Sequence, residues 1–199
     1  EDADEILFMD VVASLYGRNH LESLIEETCE SVFVPLTVGG GIKSRNDART
    51  LFNAGADKIA LNSAAMVRPE LLCELASHYG SQAVVVSIEA KHTPHGWEAY
   101  TENGRQRTGK DAVAWALEAV RLGAGELLLT SVDREGTRKG FDLDLIRAIA
   151  PNVPVPVIAC GGCGSVEDVR AAYEAGACAA MSTALHTGRL TVAGVRASL

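Results

Sequence analysis

Val34-Pro35-Leu36-Thr37-Val38-Gly39-Gly40-Gly41-Ile42-Lys43-Ser44 runs on through Asp47 and Arg49 to Ala54-Gly55-Ala56, and its frame returns 121 residues later. Val155-Pro156, Gly161-Gly162, Ser165, Asp168, Arg170 and Ala175-Gly176-Ala177 stand at the equivalent positions. That makes ten identities in a gapless window of 23, where chance gives about one or two. Upstream, Ala3, Glu5, Leu7 and Val11 match Ala124, Glu126, Leu128 and Val132. Each copy has the pattern strand, Gly-Gly turn, helix, strand. A repeat of this length implies a duplicated half-domain closing into one pseudo-twofold domain over residues 1–199.

Working outward, seven strand-like runs are expected: Glu5–Asp10, Val34–Val38, Asp57–Leu61, Ala83–Glu89, Glu126–Ser131, Val155–Ala159 and Cys178–Ser182. Between them lie helical patterns at Leu21–Cys29, Arg45–Asn53, Pro69–Tyr79, Lys110–Arg121, Asp142–Ile149 and Val166–Glu174. Ser44 and Ser165 suit N-caps, and Gly55 and Gly176 suit left-handed C-caps. Strict alternation means parallel strands with right-handed crossovers, either an open doubly wound sheet or a (β/α)8 barrel. Two four-stranded halves favour the barrel, here expected without its first βα unit and with most of its last helix missing beyond Thr191. Such a sheet would leave unpaired edges. Lys91–Arg107, with Gly96 and Gly104 flanking Trp97-Glu98-Ala99-Tyr100, is expected as a β-hairpin inserted after a strand.

Composition narrows the function classes. The chain is 47% hydrophobic with a mean hydropathy of +0.09, enough for a sizeable core. A net charge of −8 argues against a general nucleic-acid surface. No apolar run reaches the roughly 18 residues of a membrane span, and no signal peptide is visible. Five cysteines without dense spacing suit a reducing cytoplasm.

The chemistry gathers after the strands. Glycine turns opening onto helices let backbone N–H groups close on a phosphate, as at Gly40-Gly41 and again at Gly161-Gly162. Asn62-Ser63 and Ser182-Thr183 follow the next strand in each half and can add amide and hydroxyl donors. Two symmetric sites suggest a ligand with a phosphate at each end. Glu89 ends its strand as a candidate acid or base, with Asp10 a second carboxylate at the same mouth. Thr130 is the last residue but one of the strand Glu126–Ser131, before Asp133-Arg134-Glu135-Gly136. Cys160-x-x-Cys163 lacks a second pair and is read as structural thiols, and His92 and His95 as solvated loop residues. No metal or cofactor is expected.

Phe8-Met9-Asp10, Leu36–Ile42, Gly55-Ala56-Asp57-Lys58, Leu61–Ala65, Gly80-Ser81-Gln82, Gly123–Ser131 and Asp133–Thr137 together resemble the cyclase subunit of imidazole glycerol phosphate synthase. The likeness runs from Glu5 to about His186. It implies a duplicated (β/α)8 barrel that takes ammonia from a glutaminase partner in a heterodimer. The reaction adds that ammonia to ribulosyl formimino carboxamide ribotide, a bisphosphate. The imidazole ring closes, and imidazole glycerol phosphate and aminoimidazole carboxamide ribotide are released. The family's catalytic pair is an Asp on the first strand, outside this sequence, and an Asp whose place is taken here by Glu89. Its phosphate contacts map to Gly41, Asn62 and Ser63 at one end. At the other end they map to Glu135, Gly136, Gly162 and a loop near Thr183, across a one-residue gap. Glu5, Lys58 and Glu126 match three of four members of a charged ammonia gate at the barrel bottom, and Asp57 sits where the glutaminase docks.

Two alternatives stand beside the cyclase. One is a paralogous ammonia-using barrel in sugar amidation for surface glycans, to which Glu89 adds weight. The other is a non-catalytic bisphosphate-binding or docking remnant.

Overall fold

The computed structural model describes residues 3–10 and 21–199; Val11, the last member of the upstream echo, lies outside them. Seven parallel strands follow one another in chain order. They are β1 (Ile6–Met9), β2 (Leu36–Gly39), β3 (Lys58–Leu61), β4 (Val84–Thr93), β7 (Glu126–Ser131), β8 (Val157–Cys160) and β9 (Cys178–Ala179). Every pairing along this path is parallel and keeps chain order, with no reversal. That excludes the doubly wound sheet, whose order must reverse at a switch point.

Strand alternation shows how the sheet curls. Val38, Ile59, Val84, Val86, Ile88, Leu127, Leu129, Val157 and Ala159 belong to the large core packed beneath the helices. The opposite face holds a separate small cluster of Ala60, Val85 and Leu128, with Leu7, Met9, Ile158, Cys160 and Ala180 packed against it. Strands apolar on both faces, with helices on only one, are those of a barrel-type sheet whose inner face fills its own interior. Odd positions of β4, even positions of β7 and odd positions of β1 point inward together.

The duplication is visible bond by bond. Ser44 (φ −148°, ψ 165°) caps the helix Arg45–Asn53 through Asp47, and Ser165 (φ −146°, ψ 170°) caps Val166–Glu174 through Asp168. Ile6 N–H donates to Pro35 O at 2.9 Å, and Leu127 N–H to Pro156 O at 3.0 Å, each partner displaced by 121 residues. A Cβ on Gly40 would strike the carbonyl of Asp10, and one on Gly161 would meet the carbonyl of Ser131, again repeat mates.

Several boundaries differ from the sequence expectation. The inserted hairpin is a three-stranded antiparallel excursion: β4 continues to Thr93, followed by β5 (Gly96–Thr101) and β6 (Gln106–Asp111). Lys110 and Asp111 therefore close β6 instead of opening a helix. Asp111 then caps Ala112–Arg121 by accepting from Ala114 N. The last strand stops at Ala179, not Ser182, because Ser182 already precedes a short helix, Thr183–His186. Its counterpart, Ser63–Val67, is another short helix that none of the expected elements covers. Both are too short to show a helical period. Their flanking residues have matching backbones, Asn62 at φ −126°, ψ −90° and Ser182 at φ −128°, ψ −73°. The second copy is thus one residue shorter after its strand, which places Ser182 opposite Asn62 and Thr183 opposite Ser63.

Gly162 gives a test of this packing. It sits at φ 106°, and an added Cβ would lie 2.2 Å from the carbonyl oxygen of Gly140. Gly136 has φ 71° and nothing within 4 Å. Gly162→Ala should cost about 2–4 kcal/mol, combining left-handed strain with a backbone clash, whereas Gly136→Ala should cost only about 1 kcal/mol. Denaturant midpoints of the two variants check the difference. Equal midpoints would mean the Gly162–Gly140 contact does not constrain the turn.

Candidate functional site

At the C-terminal ends of the strands the inner face opens into a cavity of about 480 Å³. Met9 and Asp10 line it from β1, Gly40–Lys43 from the turn after β2, Asn62 and Ser63 after β3, and Ser87 and Glu89 from β4. The tip of the excursion, Glu102 and Asn103, covers one side. Thus Asp10, Gly41, Asn62, Ser63 and Glu89, singled out separately in the sequence, share one chamber.

Glu89 points there because it continues the inward series Val85, Ser87, Glu89; its register partner on β7 is Thr130. Its Oε2 accepts the Gly104 N–H at 2.8 Å. Burial lifts its carboxyl above the usual carboxylate range. The Gly104 N–H opposes that shift, while the nearby charges of Glu135 and Glu102 add to it and the Asn62 amide opposes it. A half-buried carboxylate with a raised proton affinity is suited to taking up and returning a proton. The Asn62 amide also donates to Tyr100 O at 3.4 Å, and its Oδ1 is buried with no hydrogen-bond partner among the described residues.

The second loop set lies across the mouth and outside that cavity's lining. Gly161 packs against the Glu135 backbone and Ser131 O, and Gly162 against Gly140. Thr130 hydrogen-bonds the Cys160 thiol. Burial pushes that thiol up, the Thr130 bond draws it down, and the Glu135 charge raises it again. Cys163 is pushed up to about 11 by burial and by Asp168. Both thiols stay protonated at neutral pH, which suits packing and not thiolate chemistry. Asp133 is turned away, accepting His92 N at 2.7 Å and fastening the excursion. Among the described residues no group of three or more His, Cys, Asp or Glu could hold a metal ion.

At the opposite end, Glu5, Lys58 and Glu126 form one network. Lys58 Nζ lies 2.7 Å from Glu5 Oε2 and 2.6 Å from Glu126 Oε1, with the three side chains only 17%, 26% and 12% exposed. The buried Thr37 hydroxyl donates to the other oxygen of Glu5. Burial alone would lower the Lys58 ammonium, but Glu126 and Glu5 outweigh it and hold the group above its ordinary value. The three charges come from alternate parallel strands, as one layer of a closed barrel requires. Asp57 is exposed at this same end, with one carboxylate oxygen accepting Leu36 N at 2.8 Å.

Residues 1–191 match the family model described as histidine biosynthesis protein. The chain belongs to this family. Among its curated relatives is the imidazole glycerol phosphate synthase subunit HisF of Legionella pneumophila, 54% identical over 84% of this chain and 80% of the relative. The subunits of the same name from Beutenbergia cavernae and Thermobifida fusca are each 48% identical over the whole chain and 80% of their own length. The family accounts for the parallel (β/α)-barrel architecture and supports the cyclase function that the residue motifs suggested. The excursion tip was missed as part of the site. Its one signal was Asn103-Gly104, a turn dipeptide suited to left-handed backbone, and nothing in the sequence says which strand end such a turn reaches.

Proposed function

We propose that the chain is the ammonia-using lyase that converts ribulosyl formimino carboxamide ribotide to imidazole glycerol phosphate and aminoimidazole carboxamide ribotide. One observation carries this reading: the inner face bears a half-buried carboxylate of raised proton affinity beside glycine turns at its mouth, and the Glu5–Lys58–Glu126 network at its other end. Glu89 takes or returns the proton as the ring closes. Gly41, Asn62 and Ser63 hold one phosphate through main-chain, amide and hydroxyl donors, with Asp10 in the same chamber. Thr130, Gly136, Gly161, Gly162, Ser182 and Thr183 hold the other, and Glu135 borders it. The pseudo-twofold pairing of Asn62-Ser63 with Ser182-Thr183 supports a ligand phosphorylated at both ends.

Ammonia enters past Glu5, Lys58 and Glu126 from a glutaminase docked around Asp57, and the complex works in the cytoplasm, where the five free thiols persist. Incubation of excess protein with the ribotide and ammonium tests the reading. The two products should form in equal amounts and in proportion to ammonium. Binding of the ribotide without either product, at any ammonium concentration, would leave a binding function and no cyclase.

A further inference from the structure

Three consecutive residues at the excursion tip take left-handed backbone: Glu102 (φ 53°), Asn103 (φ 57°) and Gly104 (φ 73°). Two non-glycine residues in that region are costly to hold, about 1–2 kcal/mol each, and persist only where their surroundings fix them. The Arg105 N–H closes the turn on Thr101 O at 3.1 Å, and three further contacts run to the candidate site. Glu102 N–H donates to Ser63 Oγ at 3.4 Å, Asn62 Nδ2 to Tyr100 O at 3.4 Å, and Gly104 N–H to Glu89 Oε2 at 2.8 Å. Behind the tip, Val132 closes on Gly104: a Cβ added there would lie 3.0 Å from Val132 Cγ2. The excursion is anchored further back by Glu98, which accepts from Arg107 and Gly109, and by Trp97 Nε1 on Asp142 at 2.9 Å.

We propose that the tip Glu102–Asn103–Gly104 is a positioning element for Glu89: the Gly104 N–H holds the carboxylate over the cavity, and Asn62 and Ser63 hold the tip. The strained turn puts a main-chain donor on Glu89 from within the connection between β4 and the helix Ala112–Arg121. The same contacts tie the carboxylate to the two residues assigned to the nearer phosphate. A ligand phosphate that draws Ser63 Oγ away from Glu102 therefore loosens the clasp on Glu89. The inference rests on the role given to Glu89 above, but its test reads no turnover and stands apart from the cyclase chemistry.

The charged groups facing Glu89 are Glu102 on the tip and Glu135 across the mouth, with Asp10, Lys43 and Arg68 lining the same cavity. In carboxyl-carbon and amide NMR titrations of the intact chain, the Gly104 amide proton should move downfield with the same midpoint as the Glu89 carboxyl carbon. Glu102→Gln should lower that midpoint while keeping the linked movement. Gly104→Pro, which has no N–H, should raise it, and Asn103→Gly, which keeps the left-handed turn, should leave it in place. Glu89→Gln in the Glu102→Gln background should abolish the Gly104 movement, a result available even if the proline variant does not fold. A Gly104 amide that ignores Glu89, or one that keeps titrating at the same midpoint after Glu89→Gln, overturns the proposal.

Discussion

Glu89→Gln should lower turnover of the ribotide by about 10²–10⁴-fold while leaving its binding within a few-fold, because glutamine keeps the shape and loses the exchangeable proton. The same change should not weaken the fold. Burial, with Glu135 and Glu102 nearby, raises the folded-state proton affinity of Glu89 despite the Gly104 N–H. A carboxyl with a raised value is more stable protonated, so its contribution favours the fold at low pH. That contribution is lost as pH climbs from the ordinary carboxylate value through the raised one. Above the raised value, where the parent carries the half-buried charge, the variant should be at least as stable; below the ordinary carboxylate value the two should converge. Paired single-turnover and denaturation measurements across that range check both halves. An inactive variant that is also strongly destabilised at pH 7 would make Glu89 a structural residue.

Lys58→Met should have the largest effect on stability of any charge removal, about 2–4 kcal/mol at neutral pH. Breaking a buried ion pair by deleting one partner costs about 3–5 kcal/mol, reduced here because the three side chains keep some water contact. The variant leaves Glu5 and Glu126, both within 2.7 Å of the missing ammonium, facing each other. Glu126 Oε2 already has no hydrogen-bond partner among the described residues. In the parent, the raised Lys58 value gives a contribution present below the ordinary lysine value and lost as pH rises through the folded one, in the alkaline range. Thermal unfolding of the variant and of Lys58→Met/Glu126→Gln, which should recover part of the loss, checks the assignment. If Lys58→Met unfolds with the parent, the ring is a set of surface charges.

How much of this was legible depends on the kind of signal. The Gly-Gly turns, the serine caps and the 121-residue echo are local, and local chemistry fixes them, so the barrel and its symmetry could be read before any coordinates. The inward aim of Glu89 follows from strand parity, which a buried strand such as Val84-Val85-Val86 hides, because both its faces are apolar. The single-residue shortening after Cys178-Ala179 was seen only as a gap near Thr183; the matching backbones of Asn62 and Ser182 resolve it. Gly104 was illegible for a different reason. Its bond to Glu89 spans 15 residues and depends on β4 running on to Thr93, whereas alternation ended that strand at Glu89.

The central claim is that one ligand, phosphorylated at both ends, spans the mouth between symmetric turns. Amide NMR titration with the ribotide tests it most directly. Gly41 and Ser63 should shift together with Gly136, Gly162 and Thr183, along one saturation curve with a single dissociation constant. Inorganic phosphate should move the same two groups independently and far more weakly. Ribotide that saturates the Gly41 side while the Gly162 side stays still, or that shifts neither, would contradict the account.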